Sequence, residues 1–380
     1  MFDETNVPPL RIVHCFREPT GGLFRHVCDL ARRQAANGHQ VAIICDATTG
    51  GAREDGELEQ IRPTLALGLH RIAMRRQIGI GDLGAALMAY RTIKKLQPDI
   101  LHGHGAKGGV YGRLSGSALR VFRSRVARIY SPHGGSLHFD TRTRHGGAVF
   151  LIEKLLAPLT EAILFVSNHE KRIYEEKVGR PYDLHAVIYN GLSDEEFSPA
   201  GTNADASDFL FIGAMRELKG PDLLIRAIAN IRNKQGQALT ATIVGDGADK
   251  PEFVALANEL GITKQIRFLP GMAAREALPL GRIMVIPSRA EALPYIVLEA
   301  LAAGKSVIAS NIGGIAEIFG SDSPALVEPD IGALAEKLLA VAIDEGTFRS
   351  SMPDSSRLHE RFNLQTMAHS IEIVYREALS

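Results

Sequence analysis

Short runs of β-branched and other apolar residues alternate with longer amphipathic stretches from one end of the chain to the other. LRIVHCF is followed by helical spacing over about 22–37 and then by QVAIICD. Further strands are predicted at 99–102, 125–130, 162–166 and 186–189. This is the grammar of βαβ units, and so of a parallel sheet covered by helices. The segment GLSDEEFSPAGTNADASD, residues 191–208, interrupts it with Gly, Ser, Asp, Asn and Pro and reads as a linker. The rhythm then restarts with FLFIGA, TATIVGDG, IRFLP, IMVIPS and SVIAS, each leading into a helix-compatible stretch. The expectation is an α/β chain with two doubly wound parallel-sheet domains, divided between residues 195 and 196. No repeat of 20–50 residues and no heptad run is present, which removes solenoids and coiled coils. Two open α/β domains normally take a ligand in the cleft between them, at the carboxyl ends of their strands.

Composition narrows the class. The chain has 380 residues, 45% of them apolar, with 43 basic and 43 acidic side chains. It can bury a sizeable core and is neither disordered nor a nucleic-acid binder by charge. Residues 1–200 carry 26 basic against 21 acidic side chains, and residues 201–380 carry 17 against 22. The excess concentrates in residues 71–145, where 14 Lys or Arg face Asp82, Asp99 and Asp140 alone. Such a stretch suits an anionic membrane surface or a phosphate-bearing substrate, or it is a set of solvated helix faces. Three cysteines, Cys15, Cys28 and Cys45, fit neither a disulfide framework nor a structural zinc site, so a reducing cytoplasm is expected. The acidic start MFDETNV does not resemble a secretory leader. The greasiest stretch, 149–166, is interrupted by Glu153, Lys154 and Glu161 and is not expected to span a membrane.

Candidate chemistry gathers at strand ends. In EALPYIVLEALAAG the helix is predicted to begin near Pro294 and to stop at Gly304, and between Tyr295 and Ala303 its sole charge is Glu299. A helix apolar on every face is buried, so Glu299 must bond a ligand or a neighbouring Arg. Glu291 precedes the helix, and the amides of Ala292 and Leu293 are free to receive hydroxyl or phosphate oxygens. Arg216 and Lys219, ahead of Gly220 and Pro221, form either a pyrophosphate clamp or an ordinary solvated loop. Gly21 and Gly22 open the first helix, and Gly313 and Gly314 do the same near Glu317; each pair is a phosphate approach or a tight turn. His102, His104, His133 and His138 follow strand ends, but no carboxylate or Cys joins them at a ligand spacing, so no metal is assigned. His133, on a Gly-rich loop, reads better as a substrate contact. Gly103-His-Gly105-Ala-Lys-Gly108 matches a dinucleotide fingerprint, yet the next strand ends without an acid for a ribose, so NAD is discounted.

The run PSRAEALPYIVLEALAAGKSVIASNIGGIAEI resembles the signature of retaining GT-B glycosyltransferases of glycosyltransferase family 4, whose hallmark is two glutamates separated by seven residues, here Glu291 and Glu299. TGGLFRHVCDLARRQAANGHQVAII, ILHGHGAKGG, YSPHG, LFVSNHEKR, VIYNG, GAMRELKGPDLLIRAI and IVGDGADKPEFVALANELGITKQIRFLPG match in family order, covering nearly the whole chain. The resemblance implies a GT-B fold: an acceptor-binding Rossmann-like domain (1–195), a nucleotide-sugar-binding one (196–362) and a last helix (363–380) crossing back to the first. It further implies that Glu299 binds the ribose hydroxyls and that Glu291 lies beside the donor sugar with the amides of Ala292 and Leu293. Lys219 would neutralise the diphosphate, Gly22 would sit against it, His133 would line the sugar site, and the nucleobase would rest near Leu269 to Met272.

Two positions depart from the family pattern. Ala214 stands where the family usually has Arg, leaving Arg216 to reach the phosphate from two residues later. The family's NG-x-D reads Asn190-Gly191-Leu192-Ser193 here. The implied activity is a metal-independent transfer of a sugar, by default from UDP, to a glycan or lipid-linked acceptor in polysaccharide assembly, with no cofactor beyond the nucleotide-sugar. The expected location is the cytoplasm or the inner membrane face, with residues 71–145 toward anionic lipid. The competing readings are a GT-B-like nucleotide-sugar epimerase and a nucleotide-sugar-binding protein without transfer.

Overall fold

The computed structural model describes residues 8–74, 80–121, 125–181, 184–236 and 238–380. Residues 1–7, and Arg75, Arg76 and Arg123 of the basic stretch, lie outside the described residues. The chain divides into two compact units, 1–189 with 364–380, and 190–363.

Unit 1 runs β1 (Arg11–Cys15), α1 (Gly21–Ala36), β2 (Gln40–Asp46), α2 (Ala52–Ile61), β3 (Gly68–Ile72), α3 (Ile80–Leu96), β4 (Ile100–His104), α4 (Gly105–Val121), β5 (Ala127–Ser131), α5 (Arg144–Leu156), β6 (Ala162–Phe165), α6 (Asn168–Lys177) and β7 (Leu184–Val187). The seven strands are parallel in the order β3-β2-β1-β4-β5-β6-β7. The inner strands β1, β4 and β5 are almost wholly buried, as helices on either side require, although RIVHC, ILHGH and ARIYS set His, Arg, Tyr and Ser among their apolar residues. The glycines of the apparent dinucleotide fingerprint serve packing. A Cβ on Gly108 would stand 2.2 Å from the Cys15 carbonyl oxygen, and one on Gly103 2.6 Å from that of Gly108, so they bring α4 hard against β1 and β4. The cysteines are buried, and burial pushes the Cys15 thiol up to about 12. Among the described residues no helix is long and apolar enough to cross a membrane. Residues 149–166 form part of α5 and β6 instead, and Glu153 is buried against Arg113 at 2.8 Å and the Tyr130 hydroxyl at 2.9 Å.

Unit 2 runs β8 (Ser207–Ile212), α7 (Pro221–Gln235), β9 (Ala241–Val244), α8 (Lys250–Glu259), β10 (Ile266–Leu269), α9 (Ala274–Ala277), β11 (Gly281–Ile286), α10 (Tyr295–Ala302), β12 (Ser306–Ser310), α11 (Ile315–Phe319), β13 (Leu326–Val327), α12 (Ile331–Ile343), α13 (Glu345–Ser350) and α14 (Ser355–Arg361). Its parallel order is β10-β9-β8-β11-β12-β13. The final helix, α15 (Leu364–Leu379), returns to unit 1, where Met367, Ala368, Ile371, Val374 and Tyr375 pack with Ile12, Leu30 and Ile129.

Three readings need correction. Residues 191–208 are not a tether between units but part of unit 2, which begins at Asn190 rather than at 196 and ends at Asn363 rather than at 362. The segment is strapped down. Leu192 N–H donates to Phe362 O at 2.7 Å, Asn203 N–H to Pro279 O at 2.9 Å, and Lys305 Nζ to Gly201 O at 3.1 Å and Thr202 Oγ1 at 2.8 Å. Polar composition marked a loop correctly but could not say which body the loop adheres to. Strands β3 and β13 were not anticipated. Both lie at sheet edges, where GLHRI needs no continuous apolar face and the two residues of β13 carry no pattern.

Candidate functional site

At the carboxyl edge of the unit 2 sheet, loops from successive strands are tied together. The loop after β8 carries Arg216 and Lys219, and Gly220 (φ 70) turns it into α7. A Cβ at Gly220 would lie 1.9 Å from the Pro287 carbonyl oxygen, so glycine alone lets this loop rest on the one leaving β11. Arg289 N–H donates to Leu218 O at 2.8 Å, while its guanidinium grips both oxygens of Asp222 at 2.8 and 2.6 Å. Beyond β12, Gly313 (φ 61) comes so near Glu291 that a Cβ would meet its carbonyl oxygen at 1.9 Å, and Gly314 N–H donates to Ala292 O at 2.9 Å.

These loops join Lys219 to Glu291 across 72 residues: Nζ donates to Oε1 at 2.6 Å, and Ser288 Oγ donates to the same oxygen at 2.8 Å. The Glu291 side chain is 8% exposed and that of Lys219 33%, so Oε1 of the carboxylate is satisfied while the ammonium keeps an open side. The amides of Ala292 and Leu293 donate to no described group, though their carbonyls accept from Gly314 N–H and the Asn190 side chain. They precede α10, whose N-terminus adds partial positive charge. Gly304 (φ 73) follows the helix as expected. Glu299 differs from expectation. It is half-buried, and it shares with Ile296 the partly open stripe of a helix whose other residues are buried, so α10 is not enclosed on every face.

The remaining unit 2 residues are more scattered. Arg216 and Ala214 are exposed, and the Arg216 side chain bonds no described residue. Leu269 ends β10 and Met272 follows it, two strands out from β8 and beside Gly271, whose N–H donates to Asp246 at 2.7 Å. Ser193, in place of the family's Asp, caps a helical turn by donating its N–H to Glu196 at 3.0 Å, and Asp194 pairs with His359 at 2.8 Å. Ser288, Arg289 and Asp222 were missed by sequence reasoning, because nothing in their spacing announces that they brace two loops.

Unit 1 offers a second constellation. Gly21 (φ 66) and Gly22 are exposed at the start of α1, directly after β1. His133, half-buried with φ 52, stands after β5. Behind it lie four more imidazoles, two of which, His14 and His26, sequence reasoning did not select. Parallel pairing sets His14 of β1 beside His102 of β4, with His104 two residues further along the same face, and α1 adds His26. His133 Nε2 lies 3.0 Å from His104 Nδ1, His104 Nε2 2.9 Å from His14 Nδ1, and His14 Nε2 2.7 Å from Gln34 Oε1. His102 lies 2.6 Å from the Tyr375 hydroxyl and 2.8 Å from that of Ser131. His138 is exposed on a separate turn. Burial, weakly opposed by the Gln34 bond, lowers His14 to about 4. Burial and then the neighbouring imidazoles hold His102, His104 and His133 well below the usual histidine range. The donor atoms of His14, His102 and His104, and those of His26, His104 and His133, converge within 4.8 Å, near enough for a cation, but hydrogen bonds already occupy the facing nitrogens. Glu170, buried at the start of α6, accepts from Gly134 N–H and, at 2.8 Å, from Val166 N–H, pinning the His133 loop; burial raises it to about 7.

Residues 193–358 match the family described as Glycosyl transferases group 1, and residues 20–196 match Glycosyltransferase Family 4. The chain belongs to these glycosyltransferases. It is 25% identical to a D-inositol 3-phosphate glycosyltransferase of Streptomyces bingchenggensis over 94% of this chain and 85% of the relative, and 25% identical to a glycogen synthase of Mycobacterium tuberculosis over 94% and 91%. Among solved structures it resembles the Anabaena protein HepE in complex with UDP and glucose, with a TM-score of 0.77 at 18% identity over 97% of this chain and 99% of that one. A sucrose-phosphate synthase from Thermosynechococcus elongatus matches with a TM-score of 0.77 at 18% identity, over 96% and 98%. The fold is therefore GT-B, two Rossmann-like parallel-sheet units, and the protein is a glycosyl-transferring enzyme of class EC 2.4.

Proposed function

We propose that this glycosyltransferase moves a hexose from UDP-sugar to a glycan or lipid-linked acceptor with retention at the anomeric carbon, without a metal, in cell-surface polysaccharide synthesis. The carrying observation is the Lys219–Glu291 pair held beside the undonated amides of Ala292 and Leu293. As the anomeric bond breaks, negative charge grows on the diphosphate. Lys219, Arg216 and the α10 amides supply fixed positive charge, the role a metal ion fills elsewhere. Glu291, with an oxygen left over, receives sugar hydroxyls, and Glu299 takes those of the ribose. Leu269 and Met272 are assigned to the base, and on unit 1 Gly22 and His133 to phosphate and sugar. The acceptor attacks from the face that the diphosphate leaves, and the donor phosphate helps remove its proton. Uracil as the donor base is supported by the UDP in the HepE complex.

Thermal stabilisation by UDP, GDP, ADP and their common sugars tests this on wild type and Glu299→Ala. A ligand at about 100 times its Kd adds about 2.7 kcal/mol of stability. The expected result is a shift with UDP and UDP-sugar that Glu299→Ala abolishes. No shift with any nucleotide would overturn the donor reading, and conversion of the donor alone into an epimer would overturn transfer.

The acceptor reading is supported by unit 1. Leu83, Leu87 and Met88 of α3 are exposed beside exposed Arg91, Lys94 and Lys95, and α5 exposes Leu151 and Leu155 beside Lys154. Apolar side chains set among cations fit the cytoplasmic face of an anionic bilayer, where a lipid-linked sugar would be met. Sedimentation with vesicles containing phosphatidylglycerol, but not with phosphatidylcholine alone, is expected, and Leu83→Glu with Leu87→Glu should abolish it. Binding unchanged by these substitutions would refute this face.

A further inference from the structure

Five buried or half-buried imidazoles are more than a sugar contact requires, and their bonds have a direction. The Gln34 amide presents Oε1 to His14 Nε2 at 2.7 Å and its NH2 to the Tyr375 hydroxyl at 3.5 Å. An amide oxygen can only accept, so His14 carries its proton on Nε2 and offers a lone pair at Nδ1. His104 Nε2, 2.9 Å away, must then be the donor, which leaves His104 Nδ1 to accept from His133 Nε2 at 3.0 Å. The same orientation satisfies the other branch: Tyr375 receives from Gln34 and donates to His102 Nδ1, and His102 Nε2 donates to Ser131 Oγ. At the far end His133 Nδ1 bonds no described residue and is not among the sealed polar atoms.

We propose that Gln34, His14 and His104 are positioning residues that hold His133 in the tautomer protonated at Nε2, so that Nδ1 reaches the donor sugar as a hydrogen-bond acceptor. This rests on the reading of His133 as a sugar contact. A neutral imidazole with its lone pair outward accepts from a sugar hydroxyl and favours the positive charge that develops on the ring. The reversed chain would present an N–H instead. Glu170, through Gly134 N–H, fixes the backbone beside His133, so ring placement and ring tautomer are controlled from different elements. A cation at either trio of histidines would have to break a bond of this chain, His14–His104 in one and His104–His133 in the other.

The test uses the full chain labelled with 15N-histidine, wild type, Gln34→Glu and Gln34→Leu, with His133→Asn to assign the resonance. Long-range 1H–15N correlation distinguishes the protonated from the bare ring nitrogen. In the unliganded wild type and in Gln34→Glu, which keeps an acceptor for His14, His133 should be protonated at Nε2 and bare at Nδ1. In Gln34→Leu, which leaves His14 Nε2–H without a partner, His133 should shift toward Nδ1–H. In parallel, UDP release from UDP-glucose should lose about tenfold or more in kcat in Gln34→Leu with little change in KM, and Gln34→Glu should restore it. A packing role would give the opposite ranking, since Leu fills the site and a buried carboxylate disturbs it. An unchanged His133 tautomer in Gln34→Leu, or a stoichiometric metal bound to the purified wild type, overturns the proposal. Absence of turnover with the tautomers as expected would sink the sugar-contact reading and leave the positioning chain standing.

Discussion

Replacing Glu170 by Gln exchanges one oxygen for an NH2 in a fully buried side chain and removes a titration. Both Glu170 oxygens accept backbone N–H groups, from Gly134 and from Val166, yet burial dominates and raises the group from 4.5 to about 7. At about 1.4 kcal/mol per pH unit, that rise is worth about 3 kcal/mol. The folded state binds this proton more tightly than the unfolded chain does. The contribution is therefore fully present below about pH 4.5 and is lost as pH rises through 7, most of it between about pH 5 and pH 8. Gln cannot titrate, and its NH2 faces an amide N–H at every pH, a constant cost of about 1–3 kcal/mol. The buried histidines, with folded values below the ordinary 6.5, contribute the opposite slope in the same window, but they do so equally in both proteins and cancel in the difference. The assay is urea unfolding by tyrosine fluorescence at several pH values. The chain has no Trp, and seven of its eight Tyr lie in unit 1, where Glu170 resides. Relative to Glu170→Gln, wild type should lose about 2–3 kcal/mol between pH 5 and 8. Parallel pH profiles for the two proteins would refute the argument that burial outweighs the two N–H bonds.

Gly313→Ala would force a side chain into the left-handed region, at a cost of about 1–2 kcal/mol, and a Cβ against the Glu291 carbonyl oxygen. It should lower the melting temperature modestly and weaken UDP binding at least tenfold by calorimetry; wild-type affinity would show that this contact does not shape the site. Glu291→Gln deprives the Lys219 ammonium of its ion-pair partner and should leave UDP binding within about threefold while reducing turnover of UDP-sugar by about a hundredfold, measured as UDP release. Between about pH 6.5 and pH 4 unit 1 should lose stability as His14, held neutral at about 4 by burial, is driven to protonate. Because the unfolded chain takes up that proton first, His14→Gln should flatten the acid limb by about 3 kcal/mol, and an unchanged limb would place the acid sensitivity elsewhere.

Much of this protein is settled by local order along the chain. Apolar runs rich in β-branched residues make inner strands such as β2, β9 and β11, because a strand covered on both faces needs no polar alternation. Gly304 ends α10, and Glu291, Lys219 and the α10 N-terminus stand at strand ends because βα units put loops there. What sequence could not carry is whatever depends on register and adhesion between distant segments. His14 and His26 look like ordinary strand and helix residues until parallel pairing sets β1 beside β4 and α1 packs over them. Residues 191–208 read as a linker, yet a hydrogen bond from Lys305 and one to the Phe362 carbonyl bind them to unit 2. Edge strands β3 and β13 leave little pattern because solvent satisfies their open side. Glu299 sits in an apolar helix, and only the packing around α10 leaves its stripe partly open. Composition and periodicity report how each segment meets a generic interior; which segments meet one another is decided by the folded core, and there the histidine chain is built.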